Sequence, residues 1–149
     1  MTKSATIVCA AVLLALGIAQ PQLAQQKGGT VRVQLNYTGS GTVDANHKIF
    51  VALWDSPDFV KPDAHIMPVE VKSTDDKNGV VTFTNVQKSP AYVSAAFDTT
   101  GKWDGQSAPP TGASLGMYSS APPTPEAINV APGKSERVRI AFDDSHKMM

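Results

Sequence analysis

"TVRVQLNY", residues 30–37, sets Val31, Val33, Leu35 and Tyr37 on one side of an extended chain and Thr30, Arg32, Gln34 and Asn36 on the other. That unbroken alternation is the period of two that a half-buried strand imposes. The same reading extends to "GVVTFTNV" (79–86), where Val81 and Phe83 point inward against Thr82 and Thr84 after an Asn78-Gly79 turn signal. It extends again to "SERVRIAF" (135–142), where Val138, Ile140 and Phe142 alternate with Arg137 and Arg139 after a Pro132-Gly133 turn. "KIFVALWD" (48–55) is apolar throughout and predicts a central strand buried on both faces. Val69 to Val71 and "AYVSAAF" (91–97) add two further strands, and Pro62 and Pro68 bracket a loop between the second and third.

No stretch has the 3.6-residue apolar period of an amphipathic helix. The segment 105–125 holds five of the chain's eleven prolines and predicts a long loop. The last residues, 144–149, are polar and predict a frayed tail. With the short apolar segment of Ile128 and Val130 before the Pro132-Gly133 turn, about seven strands separated by turns give an all-β chain, expected to fold as an antiparallel Greek-key β-sandwich of transthyretin-like or Ig-like type over residues 27–143.

The chain has 149 residues, with 13 Lys and Arg against 13 Asp and Glu. One domain is expected, and the balanced charge offers no basic footprint for a nucleic acid. Lys3 followed by the apolar run 5–19 reads as a secretory leader, shorter than a membrane span. The expected leader is 1–24, with its boundary placed to about five residues. Cys9, the one cysteine, leaves with it, so no disulfide is expected. The mature chain is therefore read as exported, periplasmic or secreted, with no integral membrane segment and no cofactor.

The order of the pieces "KIFVALWDSPDF", "GVVTFTNV", "AYVSAAFDTTGKWDG", "PPTGASLGMYSS" and "PTPEAINVAPGKSERVRIAF" resembles a group of exported bacterial domains of unknown function. Members of that group have a transthyretin-like or carboxypeptidase-regulatory-like β-sandwich, and the resemblance spans residues 28–142. It implies a non-enzymatic module. The chain departs from the group in its acidic loop, which is shorter and lacks the group's asparagines.

That loop, "FDTTGKWDG" (97–105), is the first candidate site. Calcium takes roughly six to eight oxygens, of which Asp98, the Thr100 hydroxyl, the Lys102 carbonyl and Asp104 supply about four. Asp55 or Asp63 would have to come from a neighbouring loop. A plain turn is the favoured reading and calcium the alternative. The second candidate is a contact surface for a protein or glycan partner, with Trp103, Met117 and Tyr118 presented from loops; the competing role for Met117 and Tyr118 is to cover an open end of the core.

"GASLG" (112–116) matches the serine-hydrolase pattern G-x-S-x-G, a remote alternative. That pattern needs a strand-to-helix elbow, whereas prolines flank it here and His146 is the sole histidine downstream. His47, His65 and His146 lie in separate segments and do not predict a metal centre. A glycosylation triplet at Asn36 falls inside a strand and is discounted. The expected function is a non-catalytic exported binding module.

Overall fold

The computed structural model describes residues 27–149, and the expected leader lies outside them. Seven strands run β1 (Gly29–Tyr37), β2 (Ile49–Trp54), β3 (Glu70–Thr74), β4 (Val80–Val86), β5 (Tyr92–Phe97), β6 (Ser114–Met117) and β7 (Ser135–Phe142). One short 3-10 turn, Pro57–Val60, follows β2, with Ser56 capping it through a bond from the Asp58 amide. There is no α-helix among the described residues. The strands form a three-stranded sheet in the order β4-β1-β7 and a four-stranded sheet in the order β3-β2-β5-β6, facing each other in a sandwich-like arrangement.

Inward residues follow the alternation. Val31, Val33, Leu35, Val81, Phe83, Val138 and Ile140 from one sheet meet Ile49, Val51, Leu53, Val93, Ala95 and Phe97 from the other, all buried. Each of these Val, Leu, Ile and Phe side chains is worth roughly 1.5–3 kcal/mol when removed from water. Tyr37 packs its ring 5.0 Å from Phe97 and 4.9 Å from Phe142, closing one end of the core. Ile128 and Val130 close the other, where Ile128 bridges to Ala91.

Three expectations change. The sheets are not wholly antiparallel: β1 pairs β7 in parallel, Thr30 beside Ser135 through Tyr37 beside Phe142. A parallel neighbour needs a long crossover, and the entire intervening chain serves as one. β2 is not buried on both faces, because Phe50, Ala52 and Trp54 alternate outward and remain half-buried. The proline-rich segment contains β6, which a Pro110–Ala113 turn with Gly112 at positive φ delivers onto β5.

The C-terminal residues are also held rather than frayed. The amide of Gly112 donates to the Met148 carbonyl (2.7 Å), Met148 donates to Ala113 (2.8 Å), and Leu115 donates to His146 (2.8 Å). The cause lies at Asp144. Its Oδ1 accepts from the Tyr37 hydroxyl (2.6 Å) and the Ser114 hydroxyl (2.7 Å), and its Oδ2 accepts from the Ser40 amide (2.8 Å) and hydroxyl (2.9 Å). One carboxylate thereby joins the end of β1, the turn after it, and the first residue of β6 in the opposite sheet. Hydrogen bonds from Tyr37, then Ser114, then the Ser40 amide hold the Asp144 carboxyl far below the usual carboxylate range. Burial first, and the bond to Asp144 second, push the Tyr37 phenol up.

The knot works only with Asp144 ionised and Tyr37 neutral. A carboxyl depressed in the folded state adds stability above its unfolded pKa, about 3.9, and loses it as pH falls toward the folded value. A phenol raised in the folded state adds stability below about pH 10 and loses it as pH rises through the folded value. Asp144→Ala strands the fully buried Ser114 hydroxyl and the Tyr37 hydroxyl, and is expected to cost about 3 kcal/mol in denaturant unfolding. Below pH 4 the stability of the wild type should fall more steeply than that of Asp144→Asn; parallel acid limbs in the two proteins would refute the knot.

Candidate functional site

Strand β5 runs directly into the acidic loop, and Asp98, 5% exposed, organises it. Its Oδ1 accepts from the Thr100 amide (2.9 Å); its Oδ2 accepts from the Thr100 hydroxyl (2.6 Å) and from the amides of Lys102 and Trp103 (3.2 Å each). Burial pushes the Asp98 carboxyl up, but the bonds from Thr100, Trp103 and Lys102 outweigh it and hold the carboxyl below its usual range. Gly101 turns the chain at φ 67°, so close to the neighbouring turn that a Cβ there would lie 2.6 Å from the Asn46 carbonyl oxygen. Glycine is required on both counts.

The loop then lies down on β2. Trp103 meets the Phe50 ring edge-on at 4.8 Å, and its indole N–H donates to the Ser107 carbonyl at 3.2 Å. Gly105, buried at φ 78°, follows so tightly that a Cβ would stand 2.4 Å from the same phenyl ring. "FDTTGKWDG" is therefore a clasp that covers Phe50, built on turn chemistry. Both Asp98 oxygens are taken by the loop's own donors, and the Asp104 carboxylate accepts from the Gln106 amide at 3.0 Å. Of the four residues proposed for calcium, Asp98, Thr100, Lys102 and Asp104, the oxygens of Asp98 and Thr100 are therefore engaged by donors of the loop itself. Among the described residues no three His, Cys, Asp or Glu side chains group to hold a metal.

The clasp belongs to a larger surface. The core-facing register of the four-stranded sheet turns Phe50, Ala52 and Trp54 of β2, Tyr92, Ser94 and Ala96 of β5, and Leu115 and Met117 of β6 away from the core; Tyr92 and Ala96 are covered there and the rest are half-buried. Val71 of β3 joins them opposite Ala52, with Val69, 57% exposed, just before it. Trp54 stacks on Phe59 of the 3-10 turn at 4.8 Å with 11° between planes, and its indole N–H donates to the Ser94 hydroxyl at 2.9 Å. Two pinned aromatic pairs therefore stand on one sheet face.

Of the three contact residues expected from the sequence, Trp103 and Met117 lie on this face. Tyr118 does not: it packs against the core, its amide bonds the Val93 carbonyl (3.1 Å) and its hydroxyl donates to Glu126 (3.2 Å). Sequence reasoning missed Phe50, Trp54, Phe59 and Leu115. The signal was the spacing Phe50, Ala52, Trp54, hidden because the intervening residues are equally apolar.

Ser114 of "GASLG" is fully buried in β6 and gives its hydroxyl to Asp144. Gly116 is there for packing, since a Cβ would fall 2.6 Å from that of Phe142 in the facing sheet. His146 reaches β6 through its backbone carbonyl, while its ring contacts the Ser145 hydroxyl. Two surface depressions, one beside Trp54, Val69 and Ala91 and one among Arg32, Gln34, Val80 and Arg137, have volumes of about 100 and 180 Å³. Small-molecule sites usually take roughly 300 Å³ or more. Among known proteins, the chain matches no family model, no curated protein and no solved structure.

Removing the organiser of the clasp should release Trp103. Asp98→Ala is expected to cost about 2 kcal/mol and to shift tryptophan emission to the red, with Asp98→Asn intermediate. Millimolar calcium should leave the melting temperature of the wild type where chelator leaves it. A calcium-dependent rise that vanishes in Asp98→Ala would overturn the assignment, because saturation at about 100 times Kd adds roughly 2.7 kcal/mol.

Proposed function

We propose that this chain is a non-catalytic, exported β-sandwich module, of the Greek-key transthyretin-like or Ig-like kind, that binds a protein or glycan partner through the outer face of its four-stranded sheet. The observation that carries this reading is the contrast between the two outward faces. β1 and β7 turn Arg32, Gln34, Asn36, Arg137 and Arg139 to the outside, as a solvated face should. The four-stranded sheet instead turns out Phe50, Trp54, Leu115 and Met117, each half-buried, with the exposed Val69 beside them. Contiguous apolar surface of this kind marks interaction sites, and aromatic rings suit both protein interfaces and the faces of sugars.

The preparation of the face supports the same reading. Ring pairing and the Ser94 and Ser107 hydrogen bonds restrain both indoles, so less side-chain entropy is lost when a partner arrives. The small volumes of the two depressions described above fit a broad partner better than a small ligand. Export rests on the leader read in the sequence, which places the module in a periplasm or outside the cell. Among the described residues no helix is long and apolar enough to cross a membrane. The calcium and hydrolase alternatives draw no support from the bonded Asp98 or the buried Ser114.

The chain has two tryptophans, Trp54 and Trp103, and both report on this face. Titration with extracellular polysaccharides and with envelope proteins should give a saturable change in their emission with at least one partner. Phe50→Ala or Met117→Ala should weaken that binding roughly tenfold or more while the fold persists. A partner that binds both variants as tightly as the wild type would place the contact surface elsewhere.

A further inference from the structure

The opposite outward face, formed by β4, β1 and β7, carries a feature that balanced composition conceals. All three arginines of the chain stand on it. In the parallel register Arg32 sits directly beside Arg137, and Gln34 beside Arg139; on the other side Arg32 faces Thr82 and Gln34 faces Val80. All three arginines are exposed, whereas Glu136, the acid between Lys134 and Arg137, turns to the opposite side of β7. The three ion pairs among the described residues are His47–Asp44, Lys61–Asp58 and Lys72–Glu70, so none neutralises an arginine. No hydrogen bond among the described residues holds a guanidinium either.

Like charges on neighbouring strands destabilise a sheet. Adjacent strands lie about 4.8 Å apart, and Arg137 and Arg139 are separated by one two-residue step of about 6.6 Å. Three cations at that spacing with no internal counter-charge form a site complementary to a row of anionic groups. The guanidinium fork matches carboxylate and sulfate with two parallel hydrogen bonds, which an ammonium cannot do. The shallow depression of about 180 Å³ is bounded by Arg32, Arg137, Gln34 and Val80. It offers two guanidinium groups beside an amide side chain and one aliphatic side chain.

We propose that the outer face of β4, β1 and β7 binds an acidic polysaccharide, with Arg32, Arg137 and Arg139 gripping its carboxylate or sulfate groups. The chemistry of the face selects this partner. Membrane docking uses apolar side chains inserted beside a larger basic cluster, and here Val80 is the one exposed aliphatic residue among these arginines. A nucleic-acid strand stacks its bases on aromatic rings, and this face has none. A protein interface has an apolar centre, again lacking. A flat polar sheet studded with forked cations suits a chain of sugar rings that carries its charge at intervals. This site is independent of the aromatic face on the other sheet.

The test uses the purified protein against dextran sulfate, alginate and uncharged dextran, with phosphatidylglycerol vesicles and inorganic phosphate as further arms. The variant Arg32→Gln/Arg137→Gln/Arg139→Gln is compared with Lys48→Gln/Lys88→Gln/Lys102→Gln, which removes the same charge from exposed positions elsewhere. The wild type should bind dextran sulfate or alginate with affinity that falls as salt rises, and should not bind dextran. The arginine variant should bind roughly tenfold more weakly or worse, while the lysine variant binds like the wild type. The arginine variant should melt no lower than the wild type, since it removes like-charge repulsion from solvent-exposed positions. Failure to bind either acidic polysaccharide, equal loss in the arginine and lysine variants, or binding confined to vesicles or to phosphate would each overturn the proposal.

Discussion

The carboxylate of Asp144 fixes how the two sheets meet. Its four hydrogen bonds reach Tyr37 at the end of β1, Ser40 in the turn beyond, and Ser114 at the start of β6. Two of these donors, the hydroxyls of Tyr37 and Ser114, sit on almost wholly buried residues, so losing the carboxylate leaves both without their partner at a cost. Ser114 then sets the phase of β6. With Ser114 and Gly116 turned inward, Leu115 and Met117 are turned outward beside Ala96 and Ser94. A charge at the chain's end thereby decides which residues of a distant strand reach the surface.

Legibility in the sequence followed the chemistry of each element. Strands β1, β4 and β7 were readable because one of their faces meets water and must be polar. β2 was readable as a strand but not in its exposure: both of its faces are apolar, one against the core and one in the aromatic surface. β6 was hidden because four residues set among prolines carry too little pattern, and its place depends on contacts with β5 and with the C-terminal segment. The role of Asp144 could not be read at all, since a carboxylate in a polar tail looks solvated until its three partner residues converge from separate parts of the chain. The turn chemistry of Asp98 and Gly101, by contrast, is local, and the sequence reading of that loop as a turn agrees with its geometry.

The two outward faces also divide the chemistry. Trp103 could anchor a clasp over Phe50 because Gly105 allows the backbone to touch the ring, whereas the arginines needed only alternation and the parallel register to come together. The sandwich edge between them is guarded. Lys72 of β3 points inward, donating to the Thr82 carbonyl of β4 at 2.7 Å while paired with Glu70 at 3.2 Å. An inward charge at a sheet edge discourages pairing with another chain, so contacts are directed to the faces.

The parallel pairing of β1 with β7 has a kinetic meaning. β1 is the middle strand of its sheet, yet one of its two neighbours is the last strand of the fold. Contacts so distant along the chain are slow to form, because loop closure must precede any reward from pairing. The three-stranded sheet cannot be completed while β7 is still being synthesised. Until it is, one edge of β1 stands without its neighbour and the inward side chains Val138, Ile140 and Phe142 are missing, so the last strand is also what closes the core.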